Sequence, residues 1–463
     1  MKKRALLPES ARKNATDAQN AQYAATLKRM VDCKTVWTKE GVNKAEFDKF
    51  YQVVADAFPL LHSKAKRLTF GDGCFFYVIN GINAQKNILL MSHHDVVDGG
   101  NGWETDPFCA TQKDGALYGR GTVDTKTPLF AELQAAEELL AEGYGFDGMN
   151  LYIGSSHNEE FSGDGMVLAT DYFRQNGIFF DVILDEGGAI TEGMIPGVSA
   201  KSAVIAVHEK SRHLYRCSIT ETTQGHGGLN PAAGTPVSAL SEFVTQVSTS
   251  GIFKATFSPE VKATFTSHAP YMAFPLNLVF GNFSLFSPLI KRIMAGIPQA
   301  AAMLTTGVTF PTFFAGKADA PQFKAKHAEV YLFLRCVREE QLHKELAEIQ
   351  KIADRFGVAI EPVERDYCEP TDFTARPYQV LEALVHKNFP DVITAPFLLT
   401  AGTDARRFTG LAHSILRFAP IDLNRQQFAS IHNANENITI RNIGQCVLFY
   451  KDFIKEMEKE PKL

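Results

Sequence analysis

The sequence predicts an α/β fold, a mostly parallel sheet flanked by helices, with a smaller α+β domain inserted into it, on three observations. The chain has 463 residues, 45% hydrophobic and 21% charged, which is ordinary globular composition and too long for one compact core. Its first two-fifths alternate strand-like and helix-like segments, the pattern that lays down a parallel sheet covered on both faces. From about residue 203 to 365 that texture gives way to strand–strand–helix twice over, and then it returns. Residues 1–202 and 366–463 are therefore expected to form one domain in two parts, with 203–365 inserted between them.

Taken in order, FFYVI (75–79) and NILLMSHHDVV (87–97) read as strands, and TPLFAELQAAEELLAEG (127–143) as an amphipathic helix. MNLYIGSS (149–156) is the next strand, GDGMVLATDYFRQNG (163–177) a helix, and FDVILDEGG (180–188) runs from a strand into a glycine turn. In the insert, SAVIAVHE and HLYRCSIT precede the helix TPVSALSEFVTQVS. After a long irregular apolar region come VTFPTFFAG and AEVYLFLRCV, then the helix REEQLHKELAEIQKIADRFG. YQVLEALVHKNF reopens the first texture, followed by TAPFLLTAGTDARRF and a last helix near the C-terminus.

The composition excludes several functions. The net charge is −5, from 47 basic and 52 acidic residues without long runs, so no nucleic-acid partner is expected. Seven dispersed cysteines with no C-x-x-C pair argue against a disulfide framework and suit a reducing compartment. The opening MKKRALLPESARKN has only three apolar residues before its proline, too few for a secretory core, and a cytoplasmic chain is expected. The most apolar stretch, LNLVFGNFSLFSPLIKRIMAGIPQAAAML, is interrupted by Lys291, Arg292 and two prolines. It predicts buried helices or a subunit contact, not a membrane partner. No G-x-S-x-G motif occurs, so serine hydrolysis is not supported.

Acids and histidines gather where the strands end. His93 and Asp95, Glu159 and Glu160, and Asp185 and Glu186 each follow an apolar run, the position where such sheets place their sites. Asp124 lies in the glycine-flanked turn of DGALYGRGTVDTK, and His432 in SIHNANEN. Histidine nitrogen and carboxylate oxygen suit Zn²⁺, with Co²⁺ or Mn²⁺ as alternatives. Two histidines and three carboxylates exceed one open tetrahedral site and match two ions sharing a carboxylate and a water.

With SHHDVV, W-E-T-D-P-F, DGALYGRGTVDTK, SHNEEFSG, LDEGG and GTDARRF in this order, the chain resembles the aminoacylase and carboxypeptidase-S-like family of co-catalytic zinc peptidases, peptidase family M20. The resemblance runs from about residue 50 to the C-terminus and implies a zinc-peptidase-like catalytic domain with a lid or dimerisation domain inserted. It implies that Asp124 bridges two metals, that His93 and either Asp185 or Glu186 complete one site, and that Glu160 and His432 complete the other. Asp95 would orient His93, Glu159 would be the general base, and His226 in QGHGGLNP would stabilise the oxyanion. Because that histidine arrives from a second subunit or by domain closure in relatives, a homodimer is expected. Arg406 and Arg335 are the candidates for clamping a substrate carboxylate, Arg406 having an ion pair with Asp404 as its alternative.

The implied reaction is cleavage of the amide next to a C-terminal amino acid, in a short peptide or an N-acyl amino acid, by Glu159-assisted attack of a hydroxide shared by two zinc ions. Three positions depart from the family pattern: Asn158 stands where aspartate is usual, Asp319 and Phe333 where asparagine is usual. They bear on substrate orientation. The rival reading is a catalytically silent member of the fold that binds or scaffolds. Such a chain would lose its base or a ligand first, and here His93, Asp124, Glu159, Glu160 and His432 are all present.

Overall fold

The structure is a computed structural model, and it describes residues 3–39, 41–221, 234–319 and 324–461. Two helices lead in, α1 (Asp17–Val31) and α2 (Lys44–Ala57). Thr16 starts α1 with a capping box, its hydroxyl accepting the Gln19 N–H while the Gln19 side chain accepts the Thr16 N–H. A hairpin of β1 (Lys66–Phe70) and β2 (Cys74–Ile79) follows, then β3 (Lys86–His93), helix α3 (Lys126–Ala141) and β4 (Met149–Ser156). Helix α4 (Gly165–Gln175) leads to β5 (Phe180–Asp185), and β6 (Ser202–Glu209) comes next.

The centre of this sheet is parallel. β3 pairs with β4 on one side and with β5 on the other, with His93 opposite Ser156 and Leu90 opposite Leu184. Alternation along β3 explains its unbroken apolar run. Ile88 and Leu90 enter the core built with α1 and α3, while Leu89 and Met91 enter a second core under α4. Each such fully buried side chain contributes roughly 1.5–3 kcal/mol relative to exposure. The antiparallel pairs β1–β2 and β2–β4 close one edge, so the sheet is mixed with a parallel middle.

The insert is a four-stranded antiparallel sheet of β7 (Ser211–Thr220), β8 (Gly307–Ala315), β9 (His327–Cys336) and β10 (Ala359–Asp366), in the order β8-β9-β7-β10. Its strands alternate buried and open positions, because only one face is covered, by helices α5 (Pro236–Thr249) and α9 (Glu339–Phe356). Between them lie α6 (Pro259–His268), α7 (Leu276–Gly281) and α8 (Phe283–Ala295). These three pack on the larger domain rather than on the small sheet. Val261, Phe265 and Phe280 share a core with Ile195, Val198, Ile393 and Leu398. The chain then returns through α10 (Arg376–Asn388), β11 (Ile393–Leu399), β12 (Ala412–Arg417) and the terminal helix α11 (Ile440–Lys459).

β6 differs from its expected place. The sequence assigns it to the insert, yet it pairs in parallel with β11 over Ser202–Glu209, inside the large sheet. Period and composition cannot separate it from the adjacent β7, since Lys210 alone divides them. A further three-stranded sheet (Thr111–Lys113, Ala116–Tyr118, Asn437–Thr439) joins the chain before Asp124 to the chain after His432. That small sheet is what brings two distant loops into one site.

Candidate active site

β3, β4 and β5 end on the same edge, and His93, the turn 157–160 and Asp185 stand there together. His93 is buried, with Nδ1 2.9 Å from the Asp95 carbonyl oxygen and 3.5 Å from Asp95 Oδ1. A proton held on Nδ1 by that carbonyl leaves Nε2 aimed at Asp124 Oδ1, 3.0 Å away. The Asp95 carboxylate has a second task. Its two oxygens accept the N–H groups of Glu159 and Glu160, each at 3.1 Å, which fixes the turn carrying both glutamates.

Asp124 sits between two imidazoles. Its Oδ2 lies 3.0 Å from His432 Nε2, which is also 3.2 Å from Glu160 Oε2. His432 has a backbone φ of 60°, the left-handed region a non-glycine residue enters at a cost of about 1–3 kcal/mol. The loop meets that cost because Glu436 ties it to the Asp124 turn. The buried Glu436 carboxylate accepts the N–H groups of Gly121, Val123 and Asp124 and pairs with Arg120 at 2.6 Å.

Electrostatics around this cluster are those of crowded carboxylates. Burial pushes the pKa of Glu159 well above the usual range, with Asp404 and Glu160 adding to it. Glu160 and Glu186 are raised by burial too, and Asp124 adds to both. Burial opposes a charge on His93, but its hydrogen bonds to Asp124 and Asp95 outweigh this and hold its pKa high. His432 is raised to about 10 by Asp124 and Glu160. Positive charge is in demand here.

The residues fit divalent cations. His93, Asp124 and Glu160 each offer a ligand atom within 4.8 Å of the others. Glu160 Oε1 is buried with no hydrogen-bond partner among the described residues. The nitrogen-and-carboxylate donor set is the one that Zn²⁺ takes. The LDEGG acids divide. Asp185 Oδ2 accepts the Ala405 N–H at 3.1 Å, and burial raises its pKa to about 7. Glu186 instead interacts electrostatically with Asp124, His93 and Glu159.

The arginine candidates have different fates. Arg406 is buried, with Nε 2.7 Å from Asp366 Oδ2 and its terminal nitrogens on the Thr403 carbonyl and Ser162 Oγ. It is an interior tie and not an open clamp, and its acid is Asp366 rather than Asp404, which bonds Ser156 Oγ. Arg335 donates to the Thr400 carbonyl at 2.9 Å, and its Nε has no partner among the described residues. Arg335 stands directly opposite Arg212 across the β7–β9 pair, and the Phe333 ring lies 5.9 and 5.7 Å from their guanidinium carbons. Arg212 also reaches Ser162, two residues beyond Glu160. Asn158, the departure beside the paired glutamates, bonds Asp164 and the Gly165 N–H and so braces the start of α4. His226 lies outside the described residues.

Sequence reasoning passed over Glu436, Arg212 and Ser162. Glu436 stands four residues after His432 in the same loop, and that spacing was its one available signal. Arg212 and Ser162 carry no local signal, because their partners come from other elements.

Comparison with known proteins agrees with this geometry. Residues 89–456 match the model of Peptidase family M20/M25/M40. The chain is 31% identical over 450 residues to the human N-fatty-acyl-amino acid synthase/hydrolase PM20D1, covering 94% of this chain and 88% of that protein. It is 29% identical over 461 residues to the probable carboxypeptidase S-like 2 of Dictyostelium discoideum, covering 96% and 86%. In fold it is similar to the M20 family metallo-carboxypeptidase Sso-CP2 from Sulfolobus solfataricus, with TM-score 0.63 at 17% identity, covering 95% and 99%. Human carnosine dipeptidase 1 gives 0.61 at 14% identity, covering 96% and 97%.

Proposed function

Because the chain belongs to peptidase family M20/M25/M40, and so is a hydrolytic metalloenzyme, we propose that it cleaves the amide bond next to a C-terminal amino acid in hydrophobic N-acyl amino acids. The observation that carries this is the His93–Asp124–His432–Glu160 cluster, closed at 3.0–3.2 Å, with Glu159 on the same turn as Glu160. Two divalent ions, zinc by donor type, would be held by His93, Asp124, Glu160, His432 and either Asp185 or Glu186. They would supply the charge that acidifies water and polarises the amide carbonyl. Asp185 accepts the Ala405 N–H through Oδ2, which leaves Oδ1 to offer, and Glu186 lies in the field of Asp124 and His93, so either acid of the pair can complete the set.

The remaining steps belong to the chain. Glu159, with its proton affinity raised by burial, accepts the proton of the attacking water and delivers it to the leaving amine. Asp95 keeps Glu159 and Glu160 in register with His93. His226, outside the described residues, is the donor that the family resemblance assigns to the carbonyl oxygen as charge develops there. Arg335, whose Nε has no partner among the described residues and which faces Arg212 on the neighbouring strand, binds the substrate carboxylate. An apolar acyl group is favoured by Trp37 and Phe161, whose rings lie 5.4 Å apart next to the glutamate turn, with Phe161 42% exposed. The relative named as an N-fatty-acyl-amino acid synthase/hydrolase supports the same class.

The test is mass-spectrometric detection of free amino acid released from a mixed panel of N-acyl amino acids and dipeptides, with a chelated sample in parallel. Chelator-sensitive release from long-chain N-acyl substrates is expected. Release from dipeptides alone would replace this substrate class with a peptidase reading, and no release with metal bound would end it.

A further inference from the structure

A feature that this chemistry leaves unused lies on the helices between the two halves of the small sheet. Phe274, just before α7, is 80% exposed; Leu278 is 51%, Leu285 75%, Leu289 46% and Ile293 38% exposed. On α8, positions 285, 289 and 293 recur every fourth residue and form one stripe. The other side of α8, with Phe283, Ile290 and Met294, is buried in the helical core. A surface helix ordinarily carries polar residues on its outer face, and here three large apolar side chains share that face with Ser284 and Arg292. Isolated exposed leucines need no explanation, but an ordered row of them does.

The segment that carries the stripe has charge of one sign. Residues 261–318 contain no Asp or Glu, although 52 of the chain's 463 residues are acidic. Lys262 and Arg292 are both exposed, and Lys262 lies over the Phe283 ring at 6.0 Å. Lys3 adds a third cation from the other end of the chain, 5.3 Å from the ring of Tyr271. Among the described residues none of these three is in an ion pair.

We propose that this face docks on an anionic lipid surface, the leucines and Phe274 entering the headgroup boundary while Lys3, Lys262 and Arg292 meet the phosphates. A second copy of the chain is the competing occupant. A two-fold contact through the same patch would set these cations against their own copies, whereas an anionic headgroup layer complements them. Attachment is peripheral, since no helix of the described residues is long and apolar enough to cross a membrane. This departs from the expectation of buried helices or a subunit contact with no membrane partner, and α8 buries one side only. The proposal stands apart from which amide is cleaved.

The full chain would be floated with phosphatidylcholine vesicles, with and without phosphatidylserine, at low and high salt, while light scattering reports its mass in solution. Wild type is expected to float with the anionic vesicles at least about tenfold more than with neutral ones, and to be released by salt. Leu278→Gln/Leu285→Gln and Lys262→Glu/Arg292→Glu should each abolish flotation while melting and turnover of a soluble substrate stay at wild-type level. Absence of flotation, or flotation untouched by both variants, overturns the proposal. So does a dimer that the leucine variant dissolves, which would assign the face to a second copy.

Discussion

Glu159 and Glu160 are neighbours with the same side chain, and their surroundings give them different work. Glu160 shares His432 with Asp124, while Glu159 forms no such pair and has its proton affinity raised by burial. Glu159→Gln is therefore expected to keep metal content and melting behaviour while lowering kcat by about 10²-fold or more. Turnover near wild type, with metal measured in the same sample, would remove Glu159 as the base. The two arginines separate in the same way. Arg335→Met should raise KM with a smaller change in kcat, because the lost contact is to the unreactive carboxylate. Arg406→Met removes one of two cations from Asp366, which keeps Arg407 at 3.2 Å, and should cost about 1–3 kcal/mol in denaturant unfolding, more than Arg335→Met. His93 and Glu160 were legible because each follows an apolar strand, and Asp124 because it lies in a glycine turn, whereas His432 had only its IHNANE context and late position. The choice between Asp185 and Glu186 was not legible, since adjacent residues at a strand end differ only in which way the chain turns them.

Among the elements, the three-stranded sheet around Ala116–Tyr118 has the largest effect on the site for its size. It pairs Asn437 with Tyr118 and so delivers Glu436 to the N–H groups of the Asp124 turn. Glu436→Gln keeps the shape but removes the charge that faces Arg120 and those N–H groups. Metal affinity, read by competition with a chromogenic chelator, should fall about 10–100-fold. An unchanged affinity would mean the turn holds Asp124 without Glu436. Strands this short leave no periodic trace in a sequence, so nothing local announced them. The long elements were legible for the opposite reason: β3, β4 and β5 are buried on both faces and read as continuous apolar runs. β6 was misplaced because its border with β7 is one lysine wide, and partner strand, not composition, decides to which sheet it belongs.

At the scale of the molecule, the catalytic edge gathers acids from five separate stretches of chain, and among the described residues His93 and His432 are the histidines paired with them. Asp124 raises the proton affinity of Glu160 and Glu186, Glu160 that of Glu159, and Glu159 that of Glu186, so their repulsion is stored in the folded state. A divalent cation bound there relieves it, and the unfolded chain, whose ligands are scattered from residue 93 to 432, cannot bind comparably. Binding to the native state alone stabilises it by about 4 kcal/mol when free metal is a thousand times its dissociation constant. Chelation should therefore lower the thermal midpoint by several degrees, and added zinc should restore it. In His432→Ala the metal loses the ligand that links Asp124 to Glu160, and the midpoint should respond less to chelator. Equal midpoints with and without chelator, with metal shown to be bound beforehand by mass spectrometry, would mean that this acidic edge is held together without a cation and that the cluster is not the metal centre proposed.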